Sequence, residues 1–503
     1  MRRALVSAVS IAAIAGAASL VVRAAGPITA VDAELQFQLG TILAGDTRYH
    51  EALDAFERAA TSPDRSLSQR ALKWKIRTSL VVAEWGAALV DAERLVRELP
   101  DDTEAATLKA DALWSSGLFD EADAVYRDAL TRAPASSRAR LGLARSLATR
   151  NQLGPALTEA LAASASAPRD GEIHFQVGDI YERMNRFDDA ANAYTNFINL
   201  LPNKDHSDRA AWSRAQVTFL RAFAGKTPVE VGGDPGVSYT LPFRLVNEKV
   251  MVRAKINGGR ARDLVLDTGA EDTVVSEETA RSRGVRPITY TLSAGVGDVG
   301  LRGLQLGRLD TLEMGTLVVR NVPVLIKSPG LGARIPRQEN DSFSPLALGL
   351  SVTIDYRNSL FTMSRSIPRE KVDFALPMRI QRLALVRGLL NEEHPAYFVV
   401  DTGGQVISIS TAMAAGLQMQ PTRRIALKVY GMSGWDRDAF LLPGVNLAFD
   451  NLRYSNLPLV VLNLRTPSAL LGFEIGGIVG HRFLSPYKVT MDLERSELRL
   501  AKN

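Results

Sequence analysis

Two aspartates sit in the same tripeptide, Asp267-Thr268-Gly269 and Asp401-Thr402-Gly403. Each follows an apolar run directly, Leu264-Val265-Leu266 in the first case and Phe398-Val399-Val400 in the second. A carboxyl held on a tight loop at a strand end is a candidate acid or base. Two such carboxyls held about 3 Å apart cannot both ionise, so they share one proton. The ionised member can take a proton from water while the protonated member polarises a carbonyl. One motif supplies one carboxyl, so this chemistry requires the two motifs to meet.

A repeated frame surrounds them. Leu241-Pro242-Phe243-Arg244 and Leu376-Pro377-Met378-Arg379 lie about 25 residues before each aspartate, and a strand and a turn follow, with Asn257-Gly258 as the turn in the first copy. Downstream come glycine-bearing hairpin candidates, around Gly295 and Gly297 in the first copy and Gly431 and Gly434 in the second. An apolar-apolar-Gly signature closes each frame. Ala347-Leu348-Gly349 and Ile478-Val479-Gly480 place their glycines 82 and 79 residues beyond the aspartates. Landmarks in one order at nearly one spacing indicate a duplication. Short Val/Ile/Leu/Thr runs between Gly, Asn and Pro make both copies β-rich.

The two copies resemble the lobes of an aspartic peptidase of the retropepsin and pepsin kind. The resemblance implies catalytic roles for Asp267 and Asp401, and support from Thr268, Gly269, Thr402 and Gly403, with the threonines bonding across the lobe interface. It further implies flaps at Gly295, Gly297, Gly431 and Gly434 that close over an extended peptide, and a structural signature at Leu348, Gly349, Val479 and Gly480. The lobes are expected to pair within one chain, giving a monomer. Four departures stand out. Gly404 follows the second motif where Ser, Thr or Ala is usual; lobe one is shortened after Gly349; HRFLSPY has no counterpart in lobe one; and LGARIPRQENDSFSP reads as an irregular insertion.

The preceding segment is helical and repetitive. Pro100, Pro134, Pro168 and Pro202 recur every 34 residues, as do Ala88, Ala122, Ala156 and Ala190. The pattern resembles the tetratricopeptide repeat family: stacked helix pairs with a concave groove. The final helix, DRAAWSRAQVTFLRAFAG, caps the array. The groove reads as a surface for a peptide or a protein partner; the other reading is a spacer or lid for the neighbouring domain.

The expected organisation is an all-α superhelix over 34–225, then an all-β bilobal domain with lobes over 236–366 and 370–503. Residues 1–25, a basic head before a 19-residue apolar run, read as a secretory signal or a membrane tether. Export to the periplasm, free or anchored, follows from that reading. The chain has 503 residues and no cysteine, which excludes thiolate nucleophiles and disulfides. Its formal charge of +5 includes three arginines of the leader, too little to argue for nucleic acid. No HExxH, GxxxxGK or GxSxG occurs, so neither a metal nor a cofactor is implied. The single histidine beside the second signature, His481, is read as packed rather than catalytic. Two functions remain open. One is an exported aspartic endopeptidase whose repeats recruit a polypeptide substrate, favoured because both aspartates are kept. The other is a non-catalytic peptide-binding scaffold.

Overall fold

The computed structural model describes residues 28–205, 207–234, 236–297, 302–327, 341–418, 425–431 and 434–503. The targeting segment of 1–25 and most of the expected insertion lie outside the described residues. The described residues up to Thr78 and those from Ser79 onward form two compact units. In the first, helices Ala30–Gly45 and Tyr49–Ala59 pack through Phe56, which is fully buried and has the Phe37 ring 6.0 Å away.

The second unit begins with helix pairs. Their sequence logic is local: Asp102, Ser136 and Asp170 cap the leading helices Thr103–Ser115, Ser137–Thr149 and Gly171–Arg183 by accepting from N–H groups of the first turn. The trailing helices Phe119–Arg132, Leu153–Ser166 and Phe187–Leu200 bring Ala122, Ala156 and Ala190 to full burial. Gly142 and Gly178 leave room for the buried rings of Tyr126 and Tyr194. The capping helix is Asp208–Arg221.

Beyond it the described residues are β apart from short helices. Six antiparallel strands form a platform in the order Ser238–Val246, Leu360–Ser364, Ser351–Asp355, Tyr487–Asp492, Glu497–Lys502, Phe374–Gln381. The two halves meet at Val352↔Met491 and Ile354↔Val489, all four side chains fully buried. Each half then repeats one topology. Arg262–Leu266 pairs in parallel with Ser342–Phe343, and His394–Val400 pairs in parallel with Gly477–Val479. Thr273–Ser276 and Ile407–Ser410 pair antiparallel to those short strands and in parallel to Leu317–Lys327 and Leu452–Leu462. Ser276 and Ser410 then cap the equivalent helices Glu277–Ser282 and Thr411–Gly416.

This pairing corrects the signature in lobe one. Asp401 N–H donates to Val479 O and Asp267 N–H donates to Phe343 O, so the partner of Val479-Gly480 is Phe343-Ser344 rather than Leu348-Gly349. Leu348 and Gly349 lie in the turns that follow, bonded to Pro345 and Leu346 carbonyls. Those turns stand where lobe two has the short helix His481–Leu484. HRFLSPY therefore has a counterpart, lobe one is not shortened, and the last residues of the expected insertion form a strand. A strand of two residues, Ser342 and Phe343 between Asp341 and Ser344, carries no apolar run to betray it.

The helical array and the lobes share cores. Trp114, Phe119 and Tyr126 cluster with Tyr397, Val399, Phe473 and Ile475 of lobe two. Phe187, Phe219 and Phe223 cluster with Val274, Leu304 and Leu325 of lobe one. Polar contacts reinforce the junction: Asp120 accepts from Arg379, from Arg387 at 3.2 Å and from the Tyr397 hydroxyl at 2.9 Å. This packing sets the array against both lobes.

Candidate active site

Each aspartate leaves its strand end on a loop that the opposite lobe fixes. Thr268 N–H donates to Thr402 Oγ1 and Thr402 N–H to Thr268 Oγ1, both at 3.1 Å. Each hydroxyl in turn donates across the interface, Thr268 to Val400 O at 2.6 Å and Thr402 to Leu266 O at 2.7 Å. Both threonines are fully buried. Four reciprocal bonds without competing water hold the loops in register.

The Asp267 and Asp401 carboxyls lie in mutual hydrogen-bonding contact. Gly269 and Gly403 make that approach sterically feasible, since a Cβ at Gly403 would come within 2.8 Å of Asp267 Oδ1 and one at Gly269 would run into the Asp401 carboxyl. Asp401 Oδ1 accepts from Gly403 N at 2.8 Å and Gly404 N at 2.9 Å, whereas Asp267 Oδ1 accepts from Gly269 N at 3.0 Å.

Burial and then the neighbouring Asp267 charge push Asp401 up to about 7, against the bonds from Gly404 and Gly403. Burial also raises Asp267, but its bond from Gly269 and the positive charges of Lys327 and Lys249 pull the other way. The duplication breaks symmetry at those two lysines. Ser276 pairs with Lys327 where Ser410 pairs with Leu462, and Val246 pairs with Lys249 where Gln381 pairs with Leu383. Cations on the first side and leucines on the second bias ionisation towards Asp267. Sequence reading missed Lys327 and Lys249; aligning the two copies strand by strand would have exposed both exchanges.

The hairpins meet above. Gly295 and Gly297 follow Pro287–Ser293, and Gly431 pairs with Gly434 between Val429–Gly431 and Gly434–Asp436. Val296 and Gly431 are so close that any side chain at Gly431 would strike the Val296 backbone. Asp267, Asp401, Val296, Tyr430 and Trp435 line one cavity of about 1220 Å³. His481 lies apart in role: its ring packs edge-on against Tyr356 at 5.3 Å, and burial lowers its pKa.

Gly404 also has a steric reason. A Cβ there would come within 2.7 Å of Asp401 Oδ2, so the usual Ser, Thr or Ala would press on the carboxyl. Gly404→Ala is expected to lower kcat by up to about 10²-fold with little change in KM, through displacement of Asp401. An unchanged kcat would show that the loop absorbs the methyl.

Residues 252–352 and 386–475 match the aspartyl protease family model, one segment in each lobe, and residues 103–136 match the tetratricopeptide repeat model. No curated protein matches in sequence. Among solved structures, a thermophilic TPR protein of Thermus thermophilus is similar over 37% of this chain and 98% of its own, at 22% identity and TM-score 0.32. An aspartic proteinase from Irpex lacteus is similar over 53% of this chain and 98% of its own, at 11% identity and TM-score 0.35. The chain thus joins a tetratricopeptide-repeat array to a bilobal, aspartic-protease-like β domain.

Proposed function

We propose that the chain is an aspartic endopeptidase that hydrolyses peptide bonds in polypeptides by way of a water activated between Asp267 and Asp401. The observation that supports this most is the half-buried pair of carboxyls, in contact and lining a cavity large enough for an extended peptide. Asp267, held ionised beside Lys327, takes the proton of the attacking water. Asp401, protonated, donates to the scissile carbonyl and stabilises the developing oxyanion. The hairpins at Val296 and Gly431 exclude bulk water and hold the substrate as a strand. On the reading of residues 1–25 as a signal or tether, this activity belongs outside the cytoplasm. A peptide-library digest with the wild-type chain, followed by mass spectrometry, tests the assignment; no cleavage over the range pH 3–8 would remove it.

One chain carries both aspartates, so the active unit is a monomer. Specific activity is expected to stay constant on dilution, with a monomeric mass by light scattering. A loss of specific activity that tracks dissociation of a dimer would contradict this.

A further inference from the structure

The cavity that contains the two aspartates is not walled by the lobes alone. Asp179, Glu182 and Arg183 of the repeat helix Gly171–Arg183 line it, together with Trp212 and Gln216 of the capping helix. Opposite them stand Glu271 and Asp272, which follow the first Asp-Thr-Gly, and Arg382 from the hairpin of lobe two.

The charges here do not balance. Four carboxyls, Asp179, Glu182, Glu271 and Asp272, face two guanidiniums. Arg382 is already engaged: it reaches Glu271 at 3.3 Å and Asp179 at 3.8 Å, and lies over the Trp212 ring at 5.4 Å. Arg183 donates through Nη2 to the Ala148 carbonyl at 2.8 Å, while its Nη1 has no hydrogen-bond partner among the described residues. Asp179 is only 6% exposed, yet its Oδ2 has no hydrogen-bond partner among the described residues. Asp272 makes no hydrogen bond or ion pair among them either. Glu182 accepts from the Tyr194 hydroxyl at 2.9 Å and from Gln216, which aims it without neutralising it. Asp179 is buried and the other three carboxyls are half-buried, an excess of acceptors that an arriving cation offsets.

We propose that the repeat helix Gly171–Arg183 and the loop after the first Asp-Thr-Gly form a subsite in the cleft that receives a Lys or Arg side chain of the polypeptide substrate. The array then determines sequence preference directly, as part of the cleft wall. This rests on the endopeptidase reading of the same cavity. Burial pushes Glu182 up to about 7 and Asp272 up to about 6, so near neutrality both are partly protonated when the subsite is empty. An entering ammonium or guanidinium favours their ionised forms, and hydrogen bonds to a charged group of this kind are the strong ones.

The test uses matched peptides that differ at single positions by Lys or norleucine. Two readouts are taken: cleavage by the wild-type chain, and equilibrium binding, by fluorescence anisotropy, to the Asp401→Asn chain. The lysine peptide is expected to be favoured about tenfold or more in both, at one position relative to the cleaved bond. Glu182→Gln keeps the acceptor for Tyr194, and Asp272→Asn disturbs no hydrogen bond. Each is expected to reduce the lysine-to-norleucine ratio several-fold, and both together to bring it close to one. No lysine preference in the wild-type chain, or a preference that survives both substitutions, would overturn the subsite. Selective binding of the lysine peptide by the Asp401→Asn chain, with no cleavage of any peptide by the wild type, would keep the subsite and remove the endopeptidase.

Discussion

Asp267→Asn and Asp401→Asn are each expected to lower kcat/KM on a cleavable peptide by at least about 10³-fold, because the shared proton needs both carboxyls. Either variant at more than about a tenth of wild-type activity would sink the mechanism. The pH profile follows from the same asymmetry. Activity requires one proton on the pair. It is therefore lost on the alkaline side as Asp401 gives up its proton near pH 7. It is lost on the acid side as Asp267, also raised by burial, is protonated. Stability carries a matching sign. The unfolded chain releases the Asp401 proton from about pH 4, while the native chain retains it until about pH 7. Across that window the unfolded state binds fewer protons, so native stability falls as pH rises. Asp401→Asn removes that slope. Its melting temperature is expected to exceed that of the wild type at pH 7 and to converge with it at pH 4. A lower melting temperature at pH 7 would show that the carboxyl contributes more in bonds from Gly403 and Gly404 than its burial costs.

The duplicated frame and the 34-residue helical period were legible because each rests on repetition at fixed spacing, which chance rarely imitates. The Asp-Thr-Gly loops and the hairpin candidates followed from that frame, and the threonine exchange from the resemblance to aspartic peptidases. What escaped was set by tertiary contact. Ser342–Phe343 is a strand because Val265 and Leu266 lie beside it, not because of its own composition. The better apolar pattern at Leu348-Gly349 therefore attracted the alignment. Arg382 stands in a hairpin at φ 59° and carries no motif, yet it joins three parts of the unit through Glu271, Asp179 and Trp212. Phe119 and Phe187 read as ordinary repeat residues, since a core-facing aromatic and an aromatic facing another domain share the same helical position.

That last ambiguity has a measurable consequence. Phe119 is 1% exposed, with its ring 4.6 Å from Trp114 in the array and 4.8 and 5.1 Å from Tyr397 and Phe473 in lobe two. Phe119→Ala opens a cavity with walls from both parts and is expected to cost about 3–5 kcal/mol. The array and lobe two share this core, so denaturant curves followed by helical circular dichroism and by peptide cleavage should shift together. Val90→Ala, at a position 66% exposed on the helix Trp85–Glu98, should move neither. A shift in the helical signal alone, with cleavage unaffected, would show that the lobes stand without the array. Coincident shifts would mean that excising the repeats cannot separate recruitment from stability. The excision exposes Tyr397 and Phe473 on one lobe and Val274 and Leu325 on the other, and it removes Glu182 from the cleft. The role of the array in substrate choice is therefore read from single substitutions on its cleft-facing helix, with the shared core left intact.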